Sequence, residues 1–123
     1  MPIRLKRAYE MAASSDGERY LVERLWPRGV KKTDLTLTAW LKDLAPSTDL
    51  RKWYGHHPDR QPEFARRYRA ELAAAEKRPL LLDLVQKANA GDVTLVFSTK
   101  ETDLSGAVVL KKVLENMASP SPE

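Results

Sequence analysis

Val93-Thr94-Leu95-Val96-Phe97 runs almost without polar interruption. A strand of that kind is covered on both faces, so it belongs in the middle of a sheet and not at its edge. The remaining chain must supply its neighbours and its cover. Ile3 and Leu5 alternate with Arg4 and Lys6, the period of a half-exposed strand running to about Tyr9. Ser14-Ser15-Asp16-Gly17 marks a turn. Arg19 to Leu25 reads as the second strand, ended by Trp26-Pro27-Arg28-Gly29 because proline lacks a donor and restricts the residue before it.

The middle of the chain carries helical spacing. Leu37, Trp40, Leu41 and Leu44 fall at i, i+3, i+4 and i+7, which predicts a helix stopped by Pro46. Ser47 caps a short helix with Leu50, Trp53 and Tyr54 on one face, and Gly55 suits its left-handed end. Asp59 is placed to cap the next helix, whose Phe64, Tyr68 and Leu72 share a buried face. Lys77-Arg78-Pro79 breaks it, and Pro79 then opens a helix carrying Leu81, Leu84, Val85 and Ala88 that ends at Gly91. Leu110, Val113, Leu114 and Met117 define the last helix.

Strands at both ends of a helical middle predict one small α/β domain over residues 1–118, a short and mostly parallel sheet covered by helices, with a disordered tail at 119–123. Only a long helical crossover joins the second and last strands, so these two are parallel. The first connection is too short for such a crossover, which favours an antiparallel edge for the first strand.

Composition narrows the chemistry. With no cysteine in 123 residues, disulfides and thiolate catalysis are excluded and a cytoplasmic address is expected. The longest apolar runs fall far short of the roughly 20 residues of a membrane span. The N-terminus lacks the continuous apolar stretch of a signal peptide. A net charge of +4 and a pI near 9.4 tilt the surface toward anionic partners.

If the second and last strands are parallel neighbours, their carboxyl ends bring Glu23, Arg24 and Arg28 near Ser98, Thr99, Lys100 and Glu101, where open α/β sheets bind ligands. The last helix begins around Asp103-Leu104-Ser105-Gly106, and its free N–H groups can cradle an anion there. Guanidinium forks match phosphate or carboxylate oxygens, while Lys100 acts as a point charge. The pattern therefore points to a small phosphate- or carboxylate-bearing ligand held by Arg24, Arg28, Trp26, Ser98, Lys100 and Ser105. In a catalytic version Glu23 is the general acid or base. The competing reading is that Glu23 pairs with Arg24 or Arg28 and satisfies buried charge.

No cofactor or metal is expected. The chain has no nucleophile elbow, paired metal motif or Walker loop, and adjacent histidines such as His56-His57 seldom point at one ion. Nucleic acid is the alternative partner, through Arg60, Arg66, Arg67, Arg69, Lys77 and Arg78. Glu63 and Glu71 each lie four residues from Arg67 and are expected to neutralise part of that surface. Phe64 and Tyr68 belong to the core face, as do Trp40 and Trp53, so no exposed aromatic stacking platform accompanies the arginines.

The string Val22-Glu23-Arg24-Leu25-Trp26-Pro27-Arg28-Gly29 resembles the short, YeaO-like branch of the domain of unknown function 488 family. The resemblance continues in Trp40-Leu41-Lys42-Asp43-Leu44-Ala45-Pro46-Ser47, Leu50-Arg51-Lys52-Trp53-Tyr54, His57-Pro58-Asp59-Arg60, Phe64-Ala65-Arg66-Arg67-Tyr68 and Ala107-Val108-Val109-Leu110-Lys111. It implies a small α/β fold with a pocket and no established activity. Two departures matter. The family pattern has Asp where this chain has Glu23, and relatives carry His-Asn-Asn where it has Leu104-Ser105-Gly106. If those polar groups support turnover, this chain is impaired or different, while anion binding is little affected.

Overall fold

The computed structural model describes residues 3–55, 57–98 and 106–118. Four strands, β1 (Ile3–Arg7), β2 (Glu18–Leu21), β3 (Ala39–Trp40) and β4 (Val93–Phe97), form one sheet in the order β1-β4-β2-β3. All neighbours are parallel, with Leu5 and Tyr20 both opposite Leu95. β4 lies between β1 and β2 and is buried at every residue, as its unbroken apolar run requires.

β1 is therefore parallel, and the expected antiparallel edge is wrong. Residues 8–17 make the crossover with no α-helix, only a 3-10 turn at Ser14–Asp16, and the Thr94 hydroxyl donates to the Asp16 carbonyl at 2.7 Å as the loop passes over β4. Gly17 makes the sharp re-entry into β2 possible. Its φ is +66°, and a Cβ there would stand 2.1 Å from the Asp92 carbonyl oxygen.

Four helices follow the lower half of the sequence: α1 (Thr48–Tyr54), α2 (Gln61–Leu72), α3 (Arg78–Ala90) and α4 (Gly106–Ala118). Ser47 caps α1 by accepting the Leu50 N–H, and Gly55 ends it in the left-handed region at φ +52°. Pro79 sits in the first turn of α3. Phe64, Tyr68, Leu72, Leu81, Leu84, Leu110 and Leu114 pack with Ile3, Tyr20, Leu95 and Phe97 on one face of the sheet. The opposite face is covered by loops, in a smaller cluster of Ala8, Leu21, Leu35 and Val96 with Trp26, Val30, Leu37 and Trp40 against it.

Several boundaries differ from the periodic reading. Residues 37–44 are not a helix: Thr38 N–H donates to Arg19 O at 2.7 Å and Leu41 N–H to Leu21 O at 2.8 Å, which makes β3, followed by a 3-10 turn over Lys42–Leu44. The helical spacing is split between the faces, with Leu37 and Trp40 on the loop side and Leu41 and Leu44 on the helix side. The open edge of β2 outweighs local propensity here. β2 ends at Leu21, though Val22 still donates to Val96 O at 3.0 Å, and Leu25 is exposed. β1 stops at Arg7, before Tyr9. Asp59 lies in a 3-10 turn, and Arg60 occupies the cap position of α2 with no side-chain cap bond. α2 already ends at Leu72, ahead of Lys77. The tail at 119–123 lies outside the described residues. Among the described residues no helix is long and apolar enough to cross a membrane.

Candidate functional site

Where β2 leaves the sheet, the next side chains reach three different elements. The Glu23 carboxylate accepts the Ser98 main-chain N–H at 2.9 Å and the Ser98 hydroxyl at 3.3 Å, closing the carboxyl ends of β2 and β4 together. The Glu23 carbonyl accepts the Trp40 indole N–H at 2.6 Å, adding β3 to the same edge. Glu23 thus satisfies a main-chain donor that the end of β4 would otherwise leave open.

Arg24 turns toward the segment before α1. Its Nη2 donates to Ala45 O at 3.3 Å and its Nε to Pro46 O at 3.5 Å, both long for a guanidinium. The preceding carbonyl, of Leu44, accepts the buried Tyr68 hydroxyl. Gly106, the first residue of α4, completes the junction, because a Cβ there would lie 3.1 Å from Pro46 Cγ and 3.2 Å from Tyr68 Cε2. The first turn of α4 therefore begins beside Pro46, whose carbonyl Arg24 contacts. Burial pushes the Tyr68 hydroxyl far above the usual tyrosine range, helped by the Glu23 and Glu71 charges and opposed by Arg24.

On the α2 side, Arg24 borders a groove of about 270 Å³ with Asp43, Ser47, Glu71, Glu76 and Lys77. Glu71 accepts the Ser47 N–H at 2.9 Å and the Ser47 hydroxyl at 2.6 Å. It therefore does not partner Arg67, as its spacing suggests. Glu63 does, accepting from Arg67 at 2.7 Å and also from Arg66. The Arg66 and then the Arg67 hydrogen bonds hold the Glu63 carboxyl down at about 2. Trp53 packs against the core but carries the Arg67 guanidinium 4.2 Å and that of Arg60 5.3 Å from its ring centroid.

The remaining expected residues scatter. Trp26 meets Trp40 edge-on at 5.3 Å and donates to Val30 O at 2.6 Å, which fastens the loop over the sheet. Trp40 itself belongs to β3 and not to an apolar helical face. The Arg28 side chain is exposed, and its carbonyl accepts the Tyr9 hydroxyl at 3.1 Å. No bond joins Glu23 to Arg24 or Arg28 among the described residues, so the ion-pair reading of Glu23 is not what the structure shows. Lys100 and Ser105, with Thr99, Glu101 and Leu104, lie outside the described residues, as does His56. No cluster of three or more potential metal ligands occurs among the described residues.

Two features escaped the pattern. The carbonyls of Leu44, Ala45 and Pro46 converge on Tyr68 and Arg24, and main-chain acceptors leave no mark in residue type. Arg19 is buried at 3% exposure and bound to Asp16. A signal did exist for it, since strand alternation places Arg19 on the same face as Leu21.

The chain matches the model of the inactive DUF488-N3 subclade over residues 2–121. It is 43% identical over 118 residues to the uncharacterised protein YeaO of Escherichia coli, covering 95% of this chain and all of that one. An uncharacterised protein of Mycobacterium tuberculosis is 41% identical over 112 residues, covering 91% of this chain and 92% of the relative. No solved structure matches. With nearly its whole length aligned to both, the chain belongs to the DUF488 family, in its inactive DUF488-N3 subclade.

Proposed function

We propose that this chain binds a small phosphate- or carboxylate-bearing ligand at the carboxyl ends of β2 and β4, and that it does so without turnover. The observation that carries this reading is the state of Arg24. It is a half-buried guanidinium with two long bonds to carbonyls, one of them that of Pro46, whose ring packs near Gly106 at the start of α4. An anion bound there gains both a charge-assisted fork and unpaired helix N–H groups. Asp43, Glu71 and Glu76 line the α2 side of Arg24, so the anion approaches from the α4 side. Ser98 is held at the same strand edge by Glu23, the residue before Arg24. Lys100, Ser105 and Arg28 are the further contacts this reading assigns.

Turnover has less support. One oxygen of the Glu23 carboxylate, Oε2, already accepts two donors from Ser98 and holds the strand ends together. The matching family is described as an inactive subclade. Nucleic-acid binding through α2 is the weaker alternative, because Glu63 holds Arg66 and Arg67 while Arg60 and Arg67 lie against Trp53.

Calorimetric titration with inorganic phosphate and with citrate tests the proposal. Arg24→Ala should weaken the tighter of the two by about 1.5–3 kcal/mol, the range for a hydrogen bond to a charged group. Arg28→Ala should cost less, with the fold intact in both. If neither anion binds, or if Arg24→Ala binds as the parent does, the site is misassigned.

A further inference from the structure

On the helix side of the sheet, the end of α2, the start of α3 and the second half of α4 leave a groove of about 170 Å³. Leu72, Leu81, Val113 and Met117 form its apolar floor, and Arg69 and Arg78 border it. The exposed Ala73 and Ala75 add no bulk that would close it. Leu82, one turn beyond Arg78 on the same side of α3, is left 40% exposed and adds apolar surface there.

The end of α2 and the link to α3 sort their charges between two grooves. Glu71, Glu76 and Lys77 line the groove beside Arg24, which shares only Leu72 with this one, whereas no carboxylate lines the groove here. Arg69 and Arg78 are exposed, and neither guanidinium has a hydrogen bond, ion pair or ring contact among the described residues. That sets them apart from Arg66 and Arg67, which Glu63 holds, and from Arg60, which lies against Trp53. Two uncompensated cations beside an apolar floor are complementary to carboxylates flanking an apolar body. Their field reaches roughly 8 Å in physiological salt, so the attraction needs no fixed bond geometry.

Size and symmetry narrow the occupant. The volume is below the roughly 300–1,000 Å³ of sites that enclose a whole small molecule, and it suits one apolar side chain inserted as an anchor. A nucleic-acid backbone brings anions but nothing to fill the floor. A twofold pair of copies meeting on this face would bring the same arginines of both together. We propose that the groove docks an acidic peptide segment of a partner protein. One large apolar residue of that segment sits on Leu72, Leu81, Val113 and Met117, and carboxylates on either side of it face Arg69 and Arg78. This docking is independent of the anion reading at Arg24.

The probes are acetylated and amidated pentapeptides: Glu-Glu-Phe-Glu-Glu, the same with Ala in place of Phe, and the same with Lys in place of every Glu. Each is titrated into the intact 15N-labelled chain and followed by NMR. The acidic Phe peptide should give saturable shifts centred on Leu72, Ala73, Leu81, Val113 and Met117, binding roughly tenfold or more tightly than the Ala peptide. The Lys peptide should not saturate. Arg69→Ala combined with Arg78→Ala removes two exposed, unpaired side chains and so keeps the fold, and it should weaken the Phe peptide by roughly three- to tenfold. The proposal is overturned if the Phe peptide gives no saturable shift up to about 1 mM, or if its shifts centre on Arg24. It also fails if the Ala or Lys peptide binds as tightly, or if the double variant binds as the parent does. Other occupants would show themselves at the same residues and likewise overturn it. Tighter binding of duplex DNA would make the groove a nucleic-acid face, shifts that depend on protein concentration without peptide would place a second copy there, and shifts caused by Glu123→Gln alone would place the chain's own tail there.

Discussion

The Glu23 carboxylate and the Ser98 N–H meet at 2.9 Å across 75 positions of sequence. A parallel strand that ends inside the fold leaves its last main-chain groups without a ladder partner, and a carboxylate from the adjacent strand end supplies one. Arg24, the next residue, inherits its position from that contact. The bond is therefore structural in the first place.

Glu23→Gln tests that role. The amide keeps the shape and can still accept from Ser98, but loses the charge that strengthens the bond. Stability should fall by about 1 kcal/mol in urea unfolding while phosphate affinity changes by less than about twofold. A stability unchanged within error, with affinity lost, would return Glu23 to the ligand site.

Acid sensitivity should trace to Asp16. Burial would raise this carboxyl, but the Ala13 N–H, Lys6 and Arg19 hydrogen bonds and the Lys6 charge hold it below its ordinary value of 3.8. A depressed folded-state value means that its stabilisation is complete above the ordinary value and is lost as pH falls below it. Urea midpoints measured downward from neutral pH should show this drop. In Asp16→Asn, where Arg19 stays buried without its counter-charge, the drop should be smaller and neutral stability lower by about 3–5 kcal/mol.

Two glycines separate backbone strain from steric overlap. Gly29 has φ +80° and nothing within 4 Å of a Cβ position, so Gly29→Ala should cost only the left-handed penalty, about 1–2 kcal/mol. Gly17→Ala adds a Cβ 2.1 Å from Asp92 O. It should cost more than about 3 kcal/mol, because the crossover over β4 must shift. Equal thermal shifts for the two variants would contradict this account of the crossover.

Duplex DNA affinity should be weak and vanish near physiological salt. Log affinity falls with log salt by about 0.9 per phosphate neutralised, and Glu63 already engages Arg66 and Arg67. Fluorescence anisotropy with a labelled duplex reads this directly. Submicromolar, sequence-selective binding at that salt, lost when Arg66 and Arg69 become Ala, would make α2 the functional surface.

Local chemistry was enough for part of this molecule. The all-apolar run of β4 announced its central place, the i, i+4 spacing of Phe64 and Tyr68 announced the buried face of α2, and Ser47, Gly55 and Pro79 marked helix ends through their own side chains or backbone freedom. The carboxyl edge of β2 and β4 was legible as well, since a long helical crossover makes the two strands parallel and so puts Glu23 beside Ser98.

Tertiary contacts decided the rest. Residues 37–44 carry helical spacing, yet the open edge of β2 draws Thr38 and Leu41 into hydrogen bonds and makes them sheet. β1 runs parallel because a loop with a single 3-10 turn and Gly17 at its end can recross β4 without an α-helix. Arg24 turned to the carbonyls of Ala45 and Pro46, while Arg28 stayed exposed beside Tyr9. Periodicity reports which side chains share a face, because that depends on neighbours in sequence. The partner of a strand edge or of a guanidinium depends on which distant main-chain groups are left unpaired, and only the folded chain fixes that.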